Sequence, residues 1–186
     1  MIQSPFYNLS EKAEKKLTII LLVFITVLIF IMHYLDIQIQ KGDNTKGIIS
    51  FELAKDLSKS ISILNSWNIL SKISAGISLG LDFLFLIIYS LFISLIIHKL
   101  NEKLWKYKKM YTMGIVLIWC TFLAAFFDII ENIALIKLLL GNLKQLWSSL
   151  SYYFAVAKFS LLAFGISYII VNLFFIIFKK IVGKLS

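Results

Sequence analysis

The sequence predicts an all-α integral membrane protein: a four-helix bundle with one extra amphipathic helix in its first outward loop. Three observations predict it. Hydrophobic residues make up 60% of the 186 positions and the mean hydropathy is +0.88, far outside the range of soluble domains. Four apolar runs are each long enough to cross a bilayer core. Lysines cluster beside those runs, as membrane topology requires.

The first span covers residues 17–35, nearly uninterrupted, behind a polar start that carries Glu11, Lys12, Glu14, Lys15 and Lys16. It ends in Met32-His33-Tyr34-Leu35-Asp36 with no small-residue cleavage site, so it reads as a retained helix rather than a signal peptide. Gln38 to Gly47, with Lys41-Gly42-Asp43-Asn44 inside it, reads as a loop. Leu53, Leu57, Ile61 and Leu64 then recur at helical spacing, which predicts the amphipathic helix over about 50–67. The second span, 73–97, carries Ser74, Gly76, Ser78 and Gly80, a small-residue face that permits close approach of another helix. That partner is a helix of the same chain or of a second copy, so a homo-oligomer through Gly76 and Gly80 is one expectation. The third and fourth spans cover about 111–135 and 152–178, and the whole chain, 1–186, forms one transmembrane domain.

The net charge of +9 comes from 19 lysines and no arginine. Arginine is the preferred reader of bases and phosphates, so its absence excludes a nucleic-acid reader from the leading classes. Lysines are densest before the first span, between the second and third (Lys99, Lys103, Lys106, Lys108, Lys109) and after the fourth (Lys179, Lys180, Lys184). With an even number of spans, the positive-inside rule puts both termini in the cytoplasm and the amphipathic segment outside. The expected location is a bacterial inner (plasma) membrane, with membrane lipids as the surrounding partners. The single Cys120 excludes an intrachain disulfide and a multi-cysteine metal site.

Asp128, Glu131 and Asn132 are spaced i, i+3, i+4 and share one helical face near the end of the third run. Counting helical rise from the cytoplasmic lysines places other ionisable residues at a similar height. His33 and Asp82 each lie roughly 25 Å from their anchors, Asp128 about 28 Å, Lys158 about 31 Å and Glu131 about 33 Å. The amphipathic segment brings Glu52 to the same side, and Tyr89 follows Asp82 by two helical turns. Ionisable groups inside a bilayer are costly and usually face a protein interior or a wet cavity. The bland alternative is helix glue, a buried Asp–Lys or Glu–Lys pair with no ligand. Glu131 and Lys158 are the members best placed to reach headgroups, whereas Asp82 has too short a side chain to do so.

Carboxylates crowded into one partly dry site do not all ionise together, which suits a proton, a cation or the head of a small amphiphile, with a transport or channel role in view. The same arrangement suits a second class of function, general acid/base chemistry on a lipid-like substrate by Asp82, Asp128 or Glu131. A structural or defence-associated accessory subunit is the third. No nucleophile–His–acid spacing, phosphate-binding glycine loop or cofactor motif is visible, so binding leads over catalysis. No metal and no cofactor is expected, since one imidazole in the layer is too few for a typical transition-metal site.

Phe51-Glu52-Leu53-Ala54, Ile63-Leu64-x-x-Trp67, Leu81-Asp82-Phe83-Leu84-Phe85 with Tyr89, Asp128-x-x-Glu131-Asn132 and Lys158-Phe159 together resemble a family of small four-span bacterial membrane proteins. The resemblance covers Phe51 to Phe159. It implies that these positions belong to one site and brings no activity with it. A looser likeness, of architecture alone, is to the four-span EXPERA fold of sterol isomerases and the sigma-2 receptor, which also buries acids among its helices.

Overall fold

The computed structural model of the chain describes residues 3–40 and 46–185, with residues 182–185 described by their backbone alone. The described residues are almost entirely helical: α1 (Glu11–Ile39), α2 (Ile48–Glu52), α3 (Leu57–Ser66), α4 (Ile69–Trp105), α5 (Met110–Leu139) and α6 (Gln145–Leu185). Among them, α1, α4, α5 and α6 are long and apolar enough to cross a membrane, the make-up of a multi-pass membrane protein. Each runs past the apolar stretch that predicted it, because its polar ends continue the helix. Lys41-Gly42-Asp43-Asn44 lies outside the described residues.

Helix α1 starts where the Ser10 hydroxyl accepts a hydrogen bond from Ala13 N at 3.3 Å, with Glu11 and Glu14 favouring the positive end of the helix dipole. Its inward residues are Leu21, Leu28 and Ile39, flanked by Ile25 and Met32 at heptad-like spacing. Phe24, Val27, Phe30 and Ile31 are exposed on its other faces, where lipid would cover them. Helix α4 starts on Asn68, whose carboxamide oxygen accepts from Ser71 N at 2.8 Å. Its buried small residues Ser71, Ser74, Ala75 and Ser78 lead straight to Asp82.

The long helices do not form an even square. Helix α4 packs on α1 and on α5, α5 packs on α6, and α4 meets α6 along a shorter seam. Helix α1 therefore clings to α4 and forms no comparable seam with α6. Gly165 of α6 lets Ile93, Ile97 and Thr121 come close to its backbone. Gly76 faces Leu139 of α5 within the chain, while Gly80 is exposed and faces open space.

The amphipathic segment is two helices, not one over 50–67. Lys55 takes a left-handed conformation, φ 56°, which breaks the helix between Leu53 and Asp56. The Gln145 carboxamide satisfies the break from both sides: its oxygen accepts from Leu57 N at 2.9 Å, and its nitrogen donates to Lys55 O at 3.0 Å. Ser60 and Ser148 hydroxyls, 2.9 Å apart, fasten α3 to α6. Helix α2 starts at Gly47, where a Cβ would collide with the Asp36 carboxylate that accepts from Ile48 N. Phe51, Ala54, Ile63, Leu64 and Trp67 then join Leu79, Leu135 and Leu138 in an apolar cap over the bundle's end.

At the opposite end a second polar network binds the helices. Asn101 donates to Tyr111 O at 2.9 Å and accepts from Tyr168 OH at 3.1 Å. Trp105 Nε1 donates to Asn172 Oδ1 at 2.6 Å, and Asn172 Nδ2 donates to Tyr168 O at 2.7 Å. His98 is buried beside this network, with Nε2 3.4 Å from Glu14, which ties the start of α1 to α4.

Candidate functional site

Below the apolar cap, four helices bring ionisable groups together. The i, i+3, i+4 face of α5 presents Asp128, Glu131 and Asn132; α4 presents Asp82 and, two turns on, Tyr89. Helix α6 contributes Lys158, and α2 carries Glu52 down onto them from the cap.

Lys158 Nζ lies 2.5 Å from Asp128 Oδ1 and 2.8 Å from Glu131 Oε2. The first contact is a hydrogen-bonded ion pair. The second is an ion pair by distance whose angle falls outside hydrogen-bond geometry. The Tyr89 hydroxyl donates to Asp128 Oδ2 at 2.9 Å, so Asp128 is held on both oxygens. Asn132 Nδ2 donates to Asp82 Oδ2 at 2.7 Å, and the Lys158 ammonium lies 5.0 Å from the centre of the Phe159 ring.

The cluster is unevenly matched. Four buried carboxyls face Lys158, which is the buried lysine among the described residues. Glu52 Oε2, Glu131 Oε1 and Asn132 Oδ1 are buried without a hydrogen-bond partner. Burial pushes the Glu52 carboxyl up to about 7, the Lys158 ammonium working against that rise and Asp82 and Asp128 adding to it.

A crevice of about 370 Å³ opens onto this cluster. That is within the usual range for small-molecule pockets, about 300–1,000 Å³. Its floor is Asp82, Asp128, Lys158 and Glu52; its walls are Ile25 and Met32 of α1, Phe85 and Ile93 of α4, and Phe159, Leu162 and Ile166 of α6. The floor residues are at most 8% exposed, whereas Phe159 and Ile166 are 41% and 44% exposed. The crevice thus joins a buried charged end to the apolar outer surface of the bundle. It exists because α1 follows α4 and leaves a gap to α6.

The structure brings together Glu52, Asp82, Tyr89, Asp128, Glu131, Asn132 and Lys158. It does not bring His33, which is exposed on α1. Met32 takes the inward position instead, and the next residue on a helix points about 100° away. Glu131 and Lys158 do not reach outward either; Glu131 is fully buried and Lys158 turns to the two acids. Ile25 and Met32 went unnoticed in the sequence, although their spacing with Leu21 and Leu28 marks the inward stripe of α1. Among the described residues, no group of three or more His, Cys, Asp or Glu side chains is arranged to hold a metal ion. No protein-family model, curated protein or solved structure matches the chain.

Proposed function

We propose that this protein binds a small single-chain amphiphile drawn sideways from the membrane. Its polar head would sit at Asp82 and Glu52 and its tail in the crevice between α1 and α6. One observation carries this reading: a crevice that is apolar at its exposed rim and ends on buried carboxyls, one of which has an oxygen with no partner. Asp82 to Ile93 gives the tail a path of roughly 16 Å along α4. The lysine distribution supports cytoplasmic termini in a plasma membrane, with α2 and α3 outward, so the head would rest toward the outer leaflet.

The test uses the full chain in lipid nanodiscs, with decanol as the probe and empty nanodiscs as the blank. Leu162 is a half-buried wall residue, and Leu162→Trp fills the crevice without disturbing the charged floor. Saturable decanol binding that weakens by about tenfold or more in this variant supports the reading. Binding that is absent in the parent, or unchanged in the variant, contradicts it.

A further inference from the structure

We infer that the head of the bound amphiphile is a cation, and that its arrival displaces a proton from Glu52. This rests on the amphiphile reading and adds the chemistry of the head and its exchange.

Two of the buried acids already have their charge answered. Asp128 is held by Lys158 and Tyr89, and Glu131 by Lys158, so the one ammonium is shared by two acids. Asp82 accepts from the neutral Asn132 amide and lies beside the Asp128 carboxyl, and Glu52, 7% exposed, faces Glu131 while its Oε2 has no hydrogen-bond partner. Both of these under-compensated carboxyls line the crevice. A buried charge without a counter-charge is costly, so a second positive charge is wanted at this end. Without a ligand, a proton on Glu52 answers that need. A cationic head can replace it.

The groups facing Glu52 are Asp82 from α4, Asp128 and Glu131 from α5, and Lys158 from α6. Helix α1 meets the crevice with Ile25 and Met32, which do not titrate, and α3 turns its Asp56–Lys59 pair outward. Three acids and one base therefore surround the exchanging carboxyl. In the exchange, the carboxylic acid loses its proton to water and the resulting carboxylate pairs with the ammonium. No bond other than O–H is broken. Because the acid titrates near 7, the exchange falls in the physiological range.

The experiment titrates decyltrimethylammonium, whose charge is fixed, into the full chain in nanodiscs, with decanol as the neutral control. Calorimetry in two buffers of different ionisation enthalpy counts the protons released. The expected result is close to one proton per ligand at pH 6 and little at pH 8. Affinity should rise about tenfold between those values. Glu52→Gln should abolish both the release and the pH dependence of ammonium binding.

If decanol binds but the ammonium releases no proton, or binds no better at pH 8 than at pH 6, the cation inference is overturned and the amphiphile reading stands. If neither probe binds, both fall. The proton count on the unmodified chain decides the matter even if the variant misfolds.

Discussion

Among the described residues, two polar clusters sit inside this bundle, and they are built on opposite principles. The cluster of Asn101, Trp105, Tyr168 and Asn172 is neutral; Asn101, Trp105 and Tyr168 donate to acceptors on neighbouring helices, and Asn172 donates to Tyr168 O of its own helix. The cluster of Glu52, Asp82, Asp128, Glu131 and Lys158 is charged, has more acids than bases, and leaves buried oxygens unpartnered. The first looks inward and closes. The second ends on a crevice that reaches the outer surface. Polar groups that only hold helices together need partners and no space, because each unmatched group costs stability. A cluster that forgoes partners and keeps a cavity has the makings of a site.

Breaking the charged cluster should produce the largest effect. Lys158→Met leaves Asp128 and Glu131 buried without their cation, and removing one partner of a buried ion pair costs about 3–5 kcal/mol. Thermal unfolding in detergent should show this loss, and adding Asp128→Asn to the same chain should recover part of it. A Lys158→Met protein as stable as its parent would mean the pair is not formed.

At the neutral cluster, Gly114→Ala drives a methyl into the Asn101 carboxamide. Overpacking of this kind costs about 1–3 kcal/mol and should leave amphiphile binding unchanged. Asn172→Ala removes the acceptor of Trp105 Nε1 and should cost about 1 kcal/mol, again without touching ligand affinity. Loss of decanol binding in either variant would erase the distinction between the two clusters.

A smaller effect should appear with pH. The Glu52 carboxyl is pushed above its ordinary value of 4.5, to about 7, so the folded chain holds its proton more tightly than the unfolded chain does. The stabilisation that comes with that proton is complete below pH 4.5 and fades as pH rises through about 7. Thermal unfolding scans should therefore show the parent losing stability across that window relative to Glu52→Gln. Parallel curves for the two proteins would contradict the assignment.

Much of this is legible in the sequence. The shared face of Asp128, Glu131 and Asn132 follows from their spacing alone. The common height of Asp82 and Lys158 follows from helical rise, and the amphipathic segment places Glu52 on that same side. His33 shows where such counting stops. Rise gives a residue's height but not its direction around the helix, and Met32 occupies the inward position. The helix break at Lys55 was hidden as well, because the apolar spacing of Leu53, Leu57, Ile61 and Leu64 continues across it, and Gln145, far along the chain, completes the turn. The crevice had no local signal, since it arises from how α1 leans on α4 and away from α6.

The most direct test of the central claim is photolabelling with a decanol that carries a diazirine in its tail, applied to the full chain in nanodiscs and mapped by mass spectrometry. Labels are expected on the crevice walls, at Ile25, Phe85, Leu162 and Ile166, and excess decanol should compete them away. Labels scattered over outward residues such as Phe30, Phe164 and Val171, and indifferent to competitor, would contradict it.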